Sequence, residues 1–414
     1  MKISIIIPTR ERADYLPFAI RTALEIDDDD IEIVVCDNFS QDHTGEVLSE
    51  ITDPRVRCIN TGARISMREN FNHALMASTG SYVLFFGDDD GIVPGQFRYL
   101  RHLLERHRPD GMSWARATYG WPVGGYGKKT GGLRFYRHST FGGCIQYDPK
   151  ERNLGALRRC ELSAIAPVTP NVYHGCVSRG FLERLAPAPG VFFDSAIPDV
   201  NFEYRTTLTG GAFLHADHPF TISGHSPVST GGAHHGGRTD AEGGNAGRAF
   251  TAENKADPLE DAFDHALTIP LAFFATLETV IARMGHTACR PDLARWYRYG
   301  LSAEPGNPEA TARIDAILHK YAEQTGTTEE FAAAKLMPPK PKRSARERIM
   351  RLRNQIHSFR VLAAKDGENT ILTAAQVCDG ILGDEFGAVI EGQMTRGAAW
   401  SAARHRSKAY HRQL

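Results

Sequence analysis

The first 110 residues alternate between short runs of β-branched side chains and stretches in which apolar side chains have helical spacing. The strand-like runs are 3–7, 31–36, 56–59 and 81–86. The helical stretches are 13–25, 45–51 and 67–77. Strands and helices that alternate along a chain build one sheet with helices on both faces. The sequence therefore predicts an α/β fold on a doubly wound, Rossmann-like sheet.

Polar side chains follow three of these predicted strands at their carboxyl ends, the edge where such sheets bind ligands. The clusters are Thr9-Arg10, Asp37-Asn38 and Asp88-Asp89-Asp90. Three consecutive carboxylates after a buried strand repel one another, and a hard divalent cation such as Mg²⁺ or Mn²⁺ would compensate that charge. The alternative is a solvated acidic turn. The position of the triplet at the ligand-binding edge favours the cation site.

The composition is that of an ordinary folded protein, with 42% hydrophobic and 23% charged residues. The 48 basic and 49 acidic side chains exclude a generally basic protein, so nucleic acid is not an expected partner. Seven widely spread cysteines without a Cys-x-x-Cys pair predict neither a disulfide framework nor a zinc knuckle, and a reduced, cytoplasmic setting fits best. The apolar run at the N-terminus is too short for a signal peptide. Residues 266–282 include Pro270 and Glu278 and predict a buried helix instead of a membrane span.

Three segments together resemble family 2 glycosyltransferases of the GT-A fold, of bacterial type. The segments are 3–10, 33–44 and 79–90. The resemblance implies a mixed, doubly wound sheet with an additional C-terminal helical region. It also implies metal-dependent, inverting transfer of a sugar from a UDP-, dTDP- or GDP-linked donor, with Mn²⁺ or Mg²⁺ as cofactor. The acceptor would be a hydroxyl of a glycan, a lipid-linked glycan or a protein.

The resemblance further implies which residues hold the donor. Nucleotide-binding roles fall on Pro8, Thr9, Arg10, Asp37, Asn38, Asn72 and Asp88. In this assignment Asp37 accepts a hydrogen bond from the base and Asp88 contacts the ribose. Metal-binding roles fall on Asp89, Asp90 and His225, although Asp90 could instead support the turn, and Asp88 with Asp90 is an alternative working pair. Either Arg64 or Arg68 would reach the phosphates or would simply lie on a surface helix.

A transfer of this kind needs a base for the acceptor hydroxyl. Asp199 is the candidate, because Arg205 and Gly210 follow it at the offsets of the family motif, although Pro198 replaces the usual glutamate. Asp194 or Glu203 could serve instead, and Asp199 could be a plain helix N-cap. His225 could be a diphosphate contact in place of a metal ligand, or a structural side chain in a glycine-rich loop.

The resemblance ends near residue 228, and the chain is predicted to fall into three parts. Residues 1–110 would form the nucleotide-sugar-binding half, 111–250 the acceptor-binding half, and 258–414 a helical region that is basic from 340. Two glycine-rich tracts, 120–132 and 224–247, are predicted to be irregular, as mobile loops over a site or as surface linkers. Residues 342–360 form an amphipathic basic helix, which would either contact a membrane surface or pack with a solvated basic face.

Two other functions compete with sugar transfer. A nucleotidylyltransferase shares the sheet and the metal, but would carry a glycine-rich signature after the first strand, and residues 8–12 contain no glycine. A sugar-nucleotide-binding scaffold without turnover is the second alternative. The C-terminal region would shape the acceptor side, form a homo-oligomer or dock the protein at the inner face of the cell membrane.

Overall fold

The structure is a computed structural model that describes residues 1–414 except 123–130, 227–240, 261, 264–267, 285–288, 305, 339–344 and 412–414. The strands are β1 (Ile3–Thr9), β2 (Ile31–Asp37), β3 (Val56–Asn60), β4 (Tyr82–Phe85), β5 (Gly91–Ile92), β6 (Gly111–Trp114), β7 (Ala117–Gly120), β8 (Gly132–Tyr136), β9 (Cys144–Tyr147), β10 (Gly175–Ser178), β11 (Phe213–Ala216), β12 (Thr221–His225) and β13 (Ser358–Leu362).

Helices connect and cover these strands. They are α1 (Leu16–Leu24), α2 (Thr44–Ser49), α3 (Met67–Ala77), α4 (Phe97–His107), α5 (Pro149–Arg158), α6 (Leu162–Ile165), α7 (Arg179–Leu185), α8 (Pro198–Thr209), α9 (Ala241–Ala256), α10 (Ile269–Met284), α11 (Leu293–Leu301), α12 (Pro308–Thr325), α13 (Thr328–Leu336), α14 (Ala345–Ile356), α15 (Ile371–Leu382), α16 (Glu385–Ile390) and α17 (Arg396–His411). The predicted helix 67–77 begins where expected because Ser66 and Glu69 form a capping box.

The larger sheet has eight strands in the order β3-β2-β1-β4-β10-β6-β11-β9. The first four are parallel, β10 runs antiparallel to both β4 and β6, and β11 is again parallel to β6. In this register Thr9 lies beside Asp37, and Ile6 lies beside Phe85, so the segments that follow β1, β2 and β4 meet at one edge. The predicted fold class, a mixed, doubly wound α/β sheet with additional C-terminal helices, is confirmed.

A second sheet of five strands has the order β13-β8-β7-β12-β5. Its strand β12 leads back to the acidic turn after β4, because β12 pairs with β5 directly beyond that turn. Its outer strand β13 pairs with β8 over five residues, from Ser358 beside Tyr136 to Leu362 beside Gly132. A strand from the C-terminal region is therefore part of a sheet formed by residues 91–225.

The packing divides the C-terminal region differently from the predicted boundary at 258. Residues of α10 to α13 pack with α5 and α8 around Trp296 and Phe274, and form a core of their own. Residues 361–403 instead belong to the core that covers the face of the larger sheet containing Ile3 and Ile5. The predicted single region 258–414 is thus two parts, because the apolar faces of β13 and α15 are buried against the N-terminal strands.

The glycine-rich tracts are more regular than predicted at their ends. Gly120 and Gly132 lie in β7 and β8, and Gly224 lies in β12, while residues 241–247 of the longer tract are the start of α9. The expectation of irregular structure is wrong at these positions, because strand pairing and helix formation there do not require side chains. The rest of the two predicted loops, 123–130 and 227–240, lies outside the described residues.

Two helices of the C-terminal region bear on membrane contact. The predicted buried helix is α10, whose side chains Leu271, Phe274 and Leu277 are buried. The predicted amphipathic helix is α14, and it is not packed, since Ile349 and Ile356 are exposed. Within the described part of the chain, none of the helices has both the length and the apolar character needed to cross a bilayer.

Candidate active site

The acidic triplet forms a turn directly after β4, and its third carboxylate is held on several sides. Asp90 accepts hydrogen bonds from the backbone N–H groups of Gly87 and Gly224 at 2.9 and 2.7 Å. Its Oδ2 atom accepts from the Tyr173 hydroxyl at 2.6 Å and lies 3.1 Å from Nε2 of His174. Burial acts to raise the pKa of Asp90, but the His174 ring and the hydrogen bonds outweigh it and lower this pKa to about 2. Asp90 is thus an ionised anchor of the turn.

The other two carboxylates have fewer partners. Oδ2 of Asp88 accepts from the Thr9 hydroxyl at 2.8 Å, and Oδ1 lies 3.7 Å from Nε of Arg12. Oδ2 of Asp89 accepts from the Ser226 hydroxyl at 2.6 Å. Burial raises the pKa of Asp88 to about 6. Burial and repulsion from the neighbouring carboxylates raise the pKa of Asp89 to about 8. Arg12 therefore compensates the negative charge of these two side chains only in part.

This donor set fits a divalent cation that is shared with a substrate. Within the described residues, no cluster of three or more His, Cys, Asp or Glu side chains is arranged as a metal cage. Mg²⁺ is usually held by one or two carboxylates together with substrate phosphates, so a complete protein cage is not needed. Asp88 and Asp89 supply two adjacent carboxylates whose mutual repulsion a cation would relieve. His225 ends β12 between Gly224 and Ser226, which places it beside the turn with its side chain exposed.

The predicted base pocket lies next to this turn. Asp37 accepts from Nδ2 of Asn60 at 2.7 Å, and Asn38 donates to the Ile65 carbonyl at 2.8 Å. These bonds tie the loop after β3 to the end of β2. Asp37 and Asn38 are both buried. The edge of the sheet brings together Pro8, Thr9, Asp37, Asn38 and Asp88.

The arginines proposed for the phosphates differ in their surroundings. Arg68 is 0% exposed and forms an ion pair with Asp257 at 2.5 Å, so its proposed role as a phosphate contact is wrong. The phosphate role was inferred from residues close to Arg68 in the sequence, whereas its partner Asp257 is 189 residues away along the chain. Arg10 follows β1 at the ligand-binding edge and pairs with Glu253 of α9. Arg64 takes part in a half-exposed ion pair of its own.

Asn72 of α3 is hydrogen-bonded to the loop before α8. Its Oδ1 atom accepts from the N–H groups of Phe192 and Phe193 at 2.8 and 3.0 Å, and its Nδ2 atom donates to the Phe193 carbonyl at 2.8 Å. The side chain therefore fixes the loop before α8. The nucleotide-binding role of Asn72 stays a prediction.

Asp199 lies in the first turn of α8, within electrostatic reach of His174. The N-cap residue is Ile197, so the reading of Asp199 as a plain N-cap is wrong. Burial raises the pKa of Asp199, and this is offset in part by backbone N–H groups of the first helical turn and by the charges of Arg116 and His174. A carboxylate with a raised pKa is a better proton acceptor near neutral pH.

The two alternative bases have different environments. Asp194 is 0% exposed, forms an ion pair with Arg205 at 2.5 Å and accepts from Asn201 at 2.8 Å, so it is a structural group. Glu203 lies one helical turn after Asp199 and is half-buried. Burial and the charge of Asp199 raise the pKa of Glu203 to about 8. Asp199 and Glu203 thus form a carboxylate pair on one face of α8.

Sequence reasoning missed Tyr173, His174 and Ser226. His174 accounts for the link between the two halves of the site, since its Nε2 atom is 3.1 Å from Asp90 and its charge acts on Asp199. Its Nδ1 atom lies 2.9 Å from the Thr221 hydroxyl. These residues belong to no motif and follow the triplet by more than 80 positions. The one unusual feature of His174, a φ of 54°, is visible only in the structure.

Comparisons with known proteins agree with the N-terminal geometry. The family model described as Glycosyl transferase family 2 matches residues 4–154. One relative is the UDP-Glc:alpha-D-GlcNAc-diphosphoundecaprenol beta-1,3-glucosyltransferase WfaP of Escherichia coli, 29% identical over 26% of this chain and 42% of the relative. Another is the GalNAc(5)-diNAcBac-PP-undecaprenol beta-1,3-glucosyltransferase of Campylobacter jejuni, 33% identical over 24% of this chain and 33% of the relative.

The chain therefore spans less than half the length of either relative. Among solved structures, TarS 1-349 of S. aureus in complex with UDP-GlcNAc aligns over 81% of this chain and 91% of that chain, with 16% identity and a TM-score of 0.44. The matched family region contains β1 to β4 and the acidic turn, but not Asp199. The family model thus matches residues 4–154, which is less than half of the chain.

Proposed function

We propose that the protein is an inverting, metal-dependent glycosyltransferase that moves a sugar from a nucleotide-diphosphate sugar to a hydroxyl of a lipid-linked glycan. The observation that carries the proposal is the acidic turn after β4, whose Asp90 lies 3.1 Å from Nε2 of His174, a residue that also influences the pKa of Asp199. The family match supports the transferase class. The names of both relatives, which contain diphosphoundecaprenol or PP-undecaprenol acceptors, support the acceptor class.

On the donor side, Asp88 and Asp89 would hold Mn²⁺ or Mg²⁺ together with the donor diphosphate. When bound, the cation supplies positive charge that stabilises the leaving nucleoside diphosphate. Asp37 would accept a hydrogen bond from the base, and Arg10 would reach the phosphates from the end of β1. The name of the first relative supports UDP as the nucleotide.

On the acceptor side, Asp199 would take the proton from the attacking hydroxyl. The acceptor oxygen forms a bond to the anomeric carbon while the bond from that carbon to the diphosphate oxygen breaks. The electron pair of the broken bond leaves with the diphosphate. Because this is a single displacement, the anomeric configuration inverts and no covalent enzyme intermediate forms. The half-buried position of Asp199 and its raised pKa favour proton acceptance.

The test combines product stereochemistry with two neighbouring variants. With UDP-sugars, Mn²⁺ and a glycan-diphosphate-lipid acceptor, we expect a product of inverted configuration by NMR. Asp199→Asn should lower kcat by about 10²–10⁴, the usual contribution of a general base. Glu203→Gln, one turn along α8, is the matched control and should stay within about tenfold. Retention of configuration, or the reverse order of the two variants, would remove Asp199 from this role.

The same assay separates the competing functions. Release of nucleoside diphosphate supports sugar transfer, whereas release of pyrophosphate from a nucleoside triphosphate would mean nucleotidyl transfer. Metal-dependent binding of UDP-sugars without release with any acceptor would indicate a binding scaffold. A thermal-shift screen of UDP-, dTDP- and GDP-sugars with Mn²⁺ identifies the donor, because a ligand that binds only the folded state raises its stability.

A further inference from the structure

Helix α14 presents an apolar stripe to solvent. Ile349 is 65% exposed, Leu352 58% and Ile356 65%. Eight large hydrophobic side chains are exposed among the described residues, and these three lie within eight positions of one helix. Scattered exposed apolar side chains are normal, but a row at helical spacing marks a surface that contacts a membrane or another protein. No described residue covers this row.

The charges of α14 indicate which kind of surface this apolar row contacts. The helix contains four arginines and one glutamate, and Lys342 and Arg343 precede it. At 3.6 residues per turn, positions 346 and 353 fall on one edge of the stripe and position 348 falls on the other. Arg353 is exposed. An apolar row with cationic residues on both edges is the pattern of a helix that lies in the headgroup region of an anionic bilayer.

We propose that α14 docks the protein on an anionic membrane surface, with Ile349, Leu352 and Ile356 inserted among the acyl chains and the arginines in the headgroup layer. A second copy of the chain is a poorer occupant, since three apolar side chains fall far short of the roughly 20–30 residues a side in a stable interface. Docking does not depend on the proposed reaction, and it is measurable without donor or acceptor.

The experiment is flotation of the full-length protein with vesicles. With 30% phosphatidylglycerol in phosphatidylcholine, we expect at least tenfold more bound protein than with phosphatidylcholine alone. Changing Ile349, Leu352 and Ile356 together to Ser should abolish binding, because the apolar anchor is lost. Arg353→Gln alone should weaken partitioning about fivefold, the contribution of one basic residue near an anionic surface.

The matched control is Met76→Ser on α3, since Met76 is also 65% exposed but lies on a helix without the basic flanks. This variant should bind as the wild type does. The proposal is overturned if the wild type does not float with anionic vesicles, or if the triple variant floats equally well. It is also overturned if the triple change turns a dimer into a monomer and vesicle binding is absent in both. Loss of docking with sugar transfer to a short soluble acceptor intact would leave the proposed function standing.

Discussion

Asp89 and Asp90 are adjacent in sequence but have opposite electrostatic surroundings. Asp90 accepts from two backbone N–H groups and the Tyr173 hydroxyl and lies beside His174, whereas the Asp89 carboxylate has the Ser226 hydroxyl and two like-charged neighbours. Electrostatic repulsion within the turn therefore acts mainly on Asp89, and the hydrogen bonds of Asp90 stabilise the conformation of the turn. A buried charge that is unfavourable for folding is expected where a site awaits a cation.

Exchange of each carboxylate for an amide should separate these roles. In EDTA at pH 7, Asp89→Asn should raise the free energy of unfolding by about 1 kcal/mol or more, because a neutral amide removes the cost of taking up a proton on folding that the raised pKa of Asp89 imposes. Asp90→Asn should lower it by about 3–5 kcal/mol, because an amide N–H₂ would face groups that need an acceptor. Urea denaturation measures both. Destabilisation by Asp89→Asn would contradict this account of the turn.

Arg10 is a second residue whose state depends on a distant partner. Its guanidinium pairs with Glu253 of α9, and both side chains are largely shielded from solvent. If Arg10 binds donor phosphates, this pair must be replaced, so Glu253→Gln should tighten UDP binding about 2–5-fold. Isothermal titration with Mn²⁺ present is the measurement. Arg10→Gln should weaken binding, and a Glu253→Gln variant that is equally weakened would mean that the pair positions the site instead.

Residue roles were predictable from sequence only where the partners are close in sequence or fixed by strand register. The acidic turn follows β4 as expected, and Thr9 reaches Asp88 because β1 and β4 are neighbours. Arg68 was misleading, because its contact with Asp257 is one that no local pattern encodes, and the bonds of Asn72 to the 192–193 backbone were equally unpredictable. A side chain of the type and spacing expected for ligand binding can instead form a structural contact in the protein interior.

At the scale of elements, conformation was again predictable where it depends on local sequence and unpredictable where it depends on long-range contacts. Strands β1, β2 and β4 are β-branched or apolar runs with clear ends, and α3 carries its own capping box, so local sequence is sufficient. Strand β13 follows directly after α14, and Phe359 fits the helical spacing of the preceding residues. Its conformation is set by pairing with β8, more than 200 positions earlier. Long-range pairing overrides local preference there.

Glu32 of β2 ties the amino ends of three elements together. It accepts from Ser4 of β1 and from the N–H groups of Thr79 and Gly80 before β4. Burial acts to raise its pKa, but these bonds and Lys2 lower it to about 2. A carboxylate with a depressed pKa contributes stability that is complete above about pH 4.5 and is lost as the pH falls towards 2.

Replacing this carboxylate should therefore have a pH-dependent cost. At pH 7, Glu32→Gln should lower the free energy of unfolding by about 3 kcal/mol, and the difference from wild type should shrink to near zero by about pH 2. Glu50→Gln, at an exposed position after α2, is the control and should change stability by less than about 0.5 kcal/mol. A cost for Glu32→Gln that is the same at all pH values would mean that packing, not charge, is lost.

At the scale of the whole molecule, the C-terminal segment 358–403 is part of the fold that builds the proposed donor site. Asp379 of α15 accepts from the N–H of Gly95 at 2.8 Å, and Phe386 of α16 stacks on His218 at 3.8 Å between ring centroids. The segment thus packs under the second sheet, whose strand β12 brings Ser226 and His225 to the acidic turn. The apolar side chains of β13, α15 and α16 are buried in the core, in contrast to the exposed apolar row of α14.

Deletion of residues 357–414 should consequently unfold the catalytic half instead of trimming an accessory tail. The deletion removes large buried side chains from the first core: Val361, Ile371, Val377, Ile381, Leu382, Phe386 and Trp400. At about 1.5–3 kcal/mol each, these seven side chains contribute about 10–20 kcal/mol, as much as or more than the roughly 5–15 kcal/mol by which domains are usually stable. We expect a 1–356 chain with no cooperative melting transition by circular dichroism. Ile381→Ala should cost about 2–5 kcal/mol, while Ile349→Ala on α14 should cost almost nothing, because only Ile381 is buried. A soluble 1–356 chain that melts cooperatively and binds UDP would show that residues 357–414 are dispensable for the fold.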